Sequence, residues 1–181
     1  WYISFMKKLS MNLKKEIFPI SLVLILVLSR LIPHPPNFTP IVAVAIMSGY
    51  LFKNIYLSFT TLLVSMLVAD AFIGFYENIF FVYLSLLFLV YIFYKLGRKI
   101  NLKNLFLYSF AGSILFFIIT NFGVWSLGSP GLDNVPYEKN LQGLIKCYVL
   151  AIPFIKNTVL STLIFSYSVL LLNTLKNKIS I

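Results

Sequence analysis

Carboxylates are scarce in this chain: Asp and Glu number only 5 among 181 residues. They stand far apart, as Glu16, Asp70, Glu77, Asp133 and Glu138, with no acidic cluster of the kind that holds Mg²⁺. Cysteine occurs once, at Cys147, which excludes an internal disulfide and a multi-cysteine metal site. The one histidine, His34, leaves no H-E-x-x-H pair, and there is neither a G-x-S-x-G elbow nor a phosphate-cradling Gly-Lys loop. The expectation is a protein that is not an enzyme, holds no cofactor and no metal, and has no ATP site. Active pumping would need a partner to supply the energy.

Charge as a whole is also low. Charged residues make up 11% of the chain, against roughly 25% in a soluble domain. Apolar residues make up 60%, and the mean hydropathy is +0.92. Such a chain is an integral membrane protein with the lipid bilayer as its first partner. The net charge of +10 does not point to nucleic acid, because the basic residues form no single face. They fall in the gaps between apolar runs, where topology signals lie.

A span needs roughly 20 apolar residues, so the length suits one membrane domain, residues 1–181, of all-α class with six transmembrane helices. The expected spans are 16–32, 41–52, 55–75, 79–96, 105–127 and 153–172, with a short surface or re-entrant helix over 140–152 and Pro153 opening the last span. Lys7, Lys8, Lys14 and Lys15 precede the first apolar run as in a signal peptide. No small-residue cleavage site follows, which predicts a retained first span. Eleven of the 15 basic residues fall before the first span, at Lys53, over 95–103 and in the C-terminal tail. The opposite gaps carry Arg30, Lys139 and four of the five acids. Both termini are therefore expected in the cytoplasm.

The stretch Arg30-Leu-Ile-Pro-His-Pro-Pro-Asn-Phe-Thr-Pro40 holds half of the 8 prolines. Proline lacks an N–H and fixes φ, and it pushes the preceding residue out of the helical region. No helix runs through Pro33–Pro40, so this is a stiff connector: either a rigid turn, or a lid or wall of a site carrying His34, Asn37 and Thr39.

Polar groups inside spans are costly and face a bundle interior or a wet cavity. In the expected topology they gather at the outer level: Arg30 at the end of the first span, Asp70 in the third, Asn121 and Trp125 closing the fifth, Lys156 and Asn157 early in the sixth. An outward-facing pocket under the 30–40 and 128–140 loops follows, with Tyr76 among its aromatics. Asn121 and Trp125 are four apart and share a helix face, suited to a planar polar molecule. The alternative puts Trp125 in an interfacial belt and has Asn121 bond a neighbouring helix. Asp70 reads first as the counter-ion of Lys156 or Arg30. Ala45-xxx-Gly49 and Ser109-xxx-Ser113 permit close helix approach.

Three segments carry a family resemblance: Arg30-Leu-Ile-Pro-His-Pro-Pro-Asn-Phe-Thr-Pro-Ile41, Thr120-Asn-Phe-Gly-Val-Trp125, and Tyr148-Val-Leu-Ala-Ile-Pro-Phe-Ile-Lys-Asn-Thr158. They resemble an uncharacterised family of small bacterial membrane proteins, itself similar to the substrate-binding S components of energy-coupling-factor (ECF) vitamin transporters. That resemblance implies a six-helix bundle binding a vitamin-like molecule or a metal ion in an outward cavity. It also implies docking on a transmembrane coupling protein with two ATPases. By position it sets Arg30, His34, Asn37, Asn121, Trp125, Lys156 and Asn157 in the loops and outer helix ends. The first span lacks the Ala-xxx-Ala docking motif of many S components. A solute-binding transport subunit is thus the first functional expectation. The rivals are a membrane scaffold without a pocket, and a lipid head-group enzyme using Asp70, His34 and Arg30.

Overall fold

The computed structural model describes residues 17–52, 54–96, 100–131 and 134–179, and its elements are all helices. Glu16, Asp133 and the basic residues Lys7, Lys8, Lys14, Lys15, Lys53, Arg98 and Lys99 lie outside the described residues. Helix α1, Ile17–Leu31, buries Pro19, Val23 and Val27 on one face and tightens into a 3-10 turn at Ser29–Leu31. Helix α2, Ile41–Leu51, starts directly after Pro40 and buries every residue from Ile41 to Gly49. A helix apolar all round belongs in a core, and α2 sits against α3, α4, α5 and α6. At 11 residues it is about 16 Å long, roughly half the hydrocarbon thickness. It is a central pillar of partial depth.

Helix α3, Ile55–Ile73, is capped by Asn54, whose side chain accepts from the Tyr56 and Leu57 N–H groups. Its buried residues, Ser58, Thr61, Leu62, Ser65, Met66, Ala69 and Asp70, follow the three-and-four spacing of one helix face. Gly74, at φ 102, ends it two residues before the expected limit. Helix α4 runs Ile79–Leu96, and α5 runs Leu102–Leu127. The start of α5 lies three residues before the expected one because Asn101 and Asn104 form a reciprocal capping box.

Helix α6 corrects the expected separate surface helix over 140–152: it runs unbroken from Leu141 to Ile179, with Pro153 inside. Proline removes one N–H, the partner of the Val149 carbonyl, and the turns on both sides stay bonded while α5 packs along them. Its 39 residues make a rod of about 58 Å, longer than the hydrocarbon core of about 30 Å. Four helices, α3 to α6, are long and apolar enough to cross a membrane, and α1 and α2 are shorter apolar helices. The chain is thus a membrane-embedded helical protein.

Helices α5 and α6 are antiparallel: Tyr167 donates to the Leu102 carbonyl at one end, at 3.0 Å. Tyr148 donates to the Ile118 carbonyl at the other, at 2.7 Å. Near the Tyr167 end, Asn173 donates to the Tyr50 hydroxyl at 3.3 Å, and the Lys176 ammonium lies 4.4 Å over the Phe18 ring.

Candidate functional site

The proline-rich connector is recessed. Asn157 Nδ2 donates to the Pro36 carbonyl at 2.9 Å, and the Phe38 and Phe165 rings pack with centroids 6.2 Å apart. Asn157 lies 16 residues into α6, about 24 Å along the helix from Leu141. The α3–α4 turn sits farther out, since Asn78 Nδ2 donates to the Thr120 carbonyl at 2.9 Å, near the level of Tyr148. Asn37, at φ 59, takes the left-handed turn that asparagine accepts more readily than most residues. Removing the Asn157 amide should loosen the connector. Asn157→Ala is expected to lower stability by about 1 kcal/mol and to speed proteolysis between Leu31 and Pro40, read on gels of the folded protein.

Above the connector lies a cavity of about 400 Å³. Arg30, His34, Asn37, Tyr76 and Asn121 line it, and so do Thr39, Asn78, Thr120 and Thr158. Behind this wall Arg30 Nη1 is 2.8 Å from Asp70 Oδ1, with Asp70 fully buried and Arg30 10% exposed. Arg30 Nη1 also donates to Met66 Sδ at 3.3 Å, and the Tyr83 hydroxyl donates to Asp70 Oδ2 at 2.8 Å. Asp70 is therefore the counter-ion of Arg30, while Lys156 is exposed and away from the pair. Burial, and secondarily the Asp70 charge, push the Tyr76 phenol up to about 12, against the opposing pull of Arg30. Tyr76 stays protonated at neutral pH. His34 Nδ1 is 2.9 Å from the Pro35 carbonyl. A carbonyl only accepts, so Nδ1 carries the proton and Nε2 of the neutral ring is left as an acceptor.

Trp125, Lys156 and Asn157 do not line the cavity. Trp125 Nε1 donates to the Glu138 carbonyl at 2.9 Å, so the indole is tied to the outer loop and is not paired with Asn121 over a ligand. Asn121 Nδ2 bonds back to the Phe117 carbonyl at 2.8 Å. Lys139 Nζ donates to the Trp125 carbonyl and to that of Ser126 at 2.7 Å, joining the loop to the end of α5. Behind Asn121 and Val124, under that loop, is a smaller hollow of about 190 Å³ that reaches Cys147 and Tyr137.

Asn78, Thr120, Thr158 and Tyr83 were missed from sequence. Thr120 and Thr158 flank the named Asn121 and Asn157, a signal that neighbours in a turn would have given. Tyr83 carried none, as its partner Asp70 lies on another helix. A further hollow of about 510 Å³ lies at the opposite end, beside Asn101, Leu102, Tyr167 and Thr174. Its polar groups are spent: Tyr167 bonds the Leu102 carbonyl, Asn101 caps α5 and Thr174 bonds the Leu170 carbonyl. Among the described residues no three of His, Cys, Asp and Glu converge as a metal site would need.

The fold and the cavity define a membrane-embedded helical protein with a polar hollow at one end of its bundle. The chain belongs to the family described as "Family of unknown function (DUF6580)", which matches residues 11–179. No curated protein and no solved structure matches it.

Proposed function

We propose that the protein is the solute-binding membrane subunit of a small-molecule transporter, holding its ligand in the cavity above the connector. The observation that carries this reading is the hollow of about 400 Å³, within the size range of ligand sites, where polar groups from α1, the connector, the α3–α4 turn, α5 and α6 converge. In this reading the bundle of α1 to α6 sits in a bacterial inner membrane with both termini cytoplasmic, α2 filling its middle at partial depth, and the cavity opens outward. The excess of basic residues at the opposite end supports that orientation. The chain carries no ATP-binding motif, so energy would come from a separate coupling protein with ATPases, as the resemblance to ECF S components implies.

Purified protein screened by thermal unfolding against vitamins and their precursors should yield a ligand that stabilises by about 2.7 kcal/mol at 100 times its Kd. The stabilisation should vanish on blocking the cavity with Thr39→Trp. A broad panel without any stabilising compound, together with unaltered unfolding of Thr39→Trp, would overturn the reading. One observation favours the rival scaffold: Arg30, Asp70, Trp125 and Asn157 already satisfy one another or the backbone. Crosslinking that recovers envelope-assembly proteins and no ATPase module would decide for it.

A further inference from the structure

We infer that the cavity selects small organic anions, of the carboxylate class, over cations. This rests on the reading of the hollow as a solute site and names what it takes. Among the described residues the one side chain of permanent charge in the lining is Arg30, and no carboxylate lines the cavity. Asp70, the nearest acid, lies fully buried behind the wall, with Oδ1 facing Arg30 and Oδ2 accepting from Tyr83. Fully buried, the carboxylate is screened from an incoming ligand by the wall.

Arg30 is only partly used by that pair. A guanidinium has five N–H donors in a planar fork. Its Nη1 serves Asp70 and Met66, so part of the fork remains beyond that pair. Tyr76 lines the same hollow, and its phenol stays protonated at neutral pH, so its O–H can donate there. Guanidinium N–H and phenol O–H therefore converge on one region, the donor set that a carboxylate matches. An ammonium would meet the same donors, with no carboxylate among the described lining residues to oppose its charge. His34 presents Nε2 as an acceptor at the connector, so a second ligand group with an N–H or O–H fits there.

The test reads the sign of the cavity without a known ligand. Thr39 lines the hollow, and Thr39→Cys in a Cys147→Ala background gives one thiol in the described part of the full chain. Its reaction rates with a sulfonatoethyl and a trimethylammonioethyl methanethiosulfonate are each divided by the rate of a small thiol in solution. The normalised rates should favour the sulfonate by about tenfold, the lower end for a charged cleft. Arg30→Lys should retain the preference. The paired change Arg30→Gln/Asp70→Asn, which keeps shape and removes both charges, should bring the ratio close to one. A ratio at or below one in the starting protein, or one untouched by the paired change, overturns the anion inference and leaves the cavity standing. No reaction with either reagent, where the unfolded chain reacts with both, would mean that the hollow is closed and would overturn the proposed function as well.

Discussion

Asp70→Ala is expected to lower stability by about 3–5 kcal/mol, because it strands the Arg30 guanidinium in a nearly dry wall. The carboxylate it removes is fully buried and holds two partners from different helices, Arg30 at 2.8 Å and the Tyr83 hydroxyl at 2.8 Å. Arg30→Ala should cost a similar amount by stranding Asp70. The paired Arg30→Met/Asp70→Leu replacement should recover most of the loss, since apolar groups of similar volume need no counter-ion there. Unfolding of the parent, Arg30→Met, Asp70→Leu and the pair in detergent, followed by helical circular dichroism, closes the cycle. Additive losses in the double variant would mean that the two side chains act independently, against the geometry of the pair. A stable double variant that no longer binds the solute would separate the pair's part in the fold from its part in the site.

Gly49→Val should be the most damaging change in the core. A Cβ at Gly49 would lie 2.4 Å from the backbone carbon of Phe93 and from the Tyr94 nitrogen, so helix α4 itself would have to move. Overpacking of this kind costs about 1–3 kcal/mol and more where backbone must yield. Even Gly49→Ala should be poorly tolerated. Gly112→Ala meets only the Ile46 side chain, at 2.7 Å from Cδ1, which can rotate aside, so its loss should be clearly smaller. Ranking the three variants by thermal unfolding checks the argument; equal effects of Gly49→Ala and Gly112→Ala would refute the close backbone approach. The displaced α2 would also carry Ile41 and Val42, which line the cavity, so the damage should reach the site.

The particular residues say how much was written in the chain. Helix existence was legible almost throughout, because long apolar runs bounded by Asn54, Gly74 and Gly128 mark their own ends with caps and turn residues, whereas the Asn101 cap went unread and α5 starts three residues earlier than expected. Pro153 misled: as a local breaker it predicted the start of a helix, yet α5 packs along both sides of it and the helix continues. Trp125 and Asn121 share a face by spacing, but the indole is drawn to Glu138 by a loop whose path no periodicity records.

Composition and spacing by themselves determined the solvent, the helical class and the residues too polar to face lipid, since each follows from the free energy of placing a local group in hydrocarbon. Only the tertiary structure decided which of those residues meet. It paired Arg30 with Asp70 across two helices, lowered the connector onto Asn157 in the middle of α6, and left Lys156 outside. Those choices depend on how α2, too short to reach the full depth, is wedged among four neighbours. That is a matter of packing between distant segments, and local sequence carries no record of it.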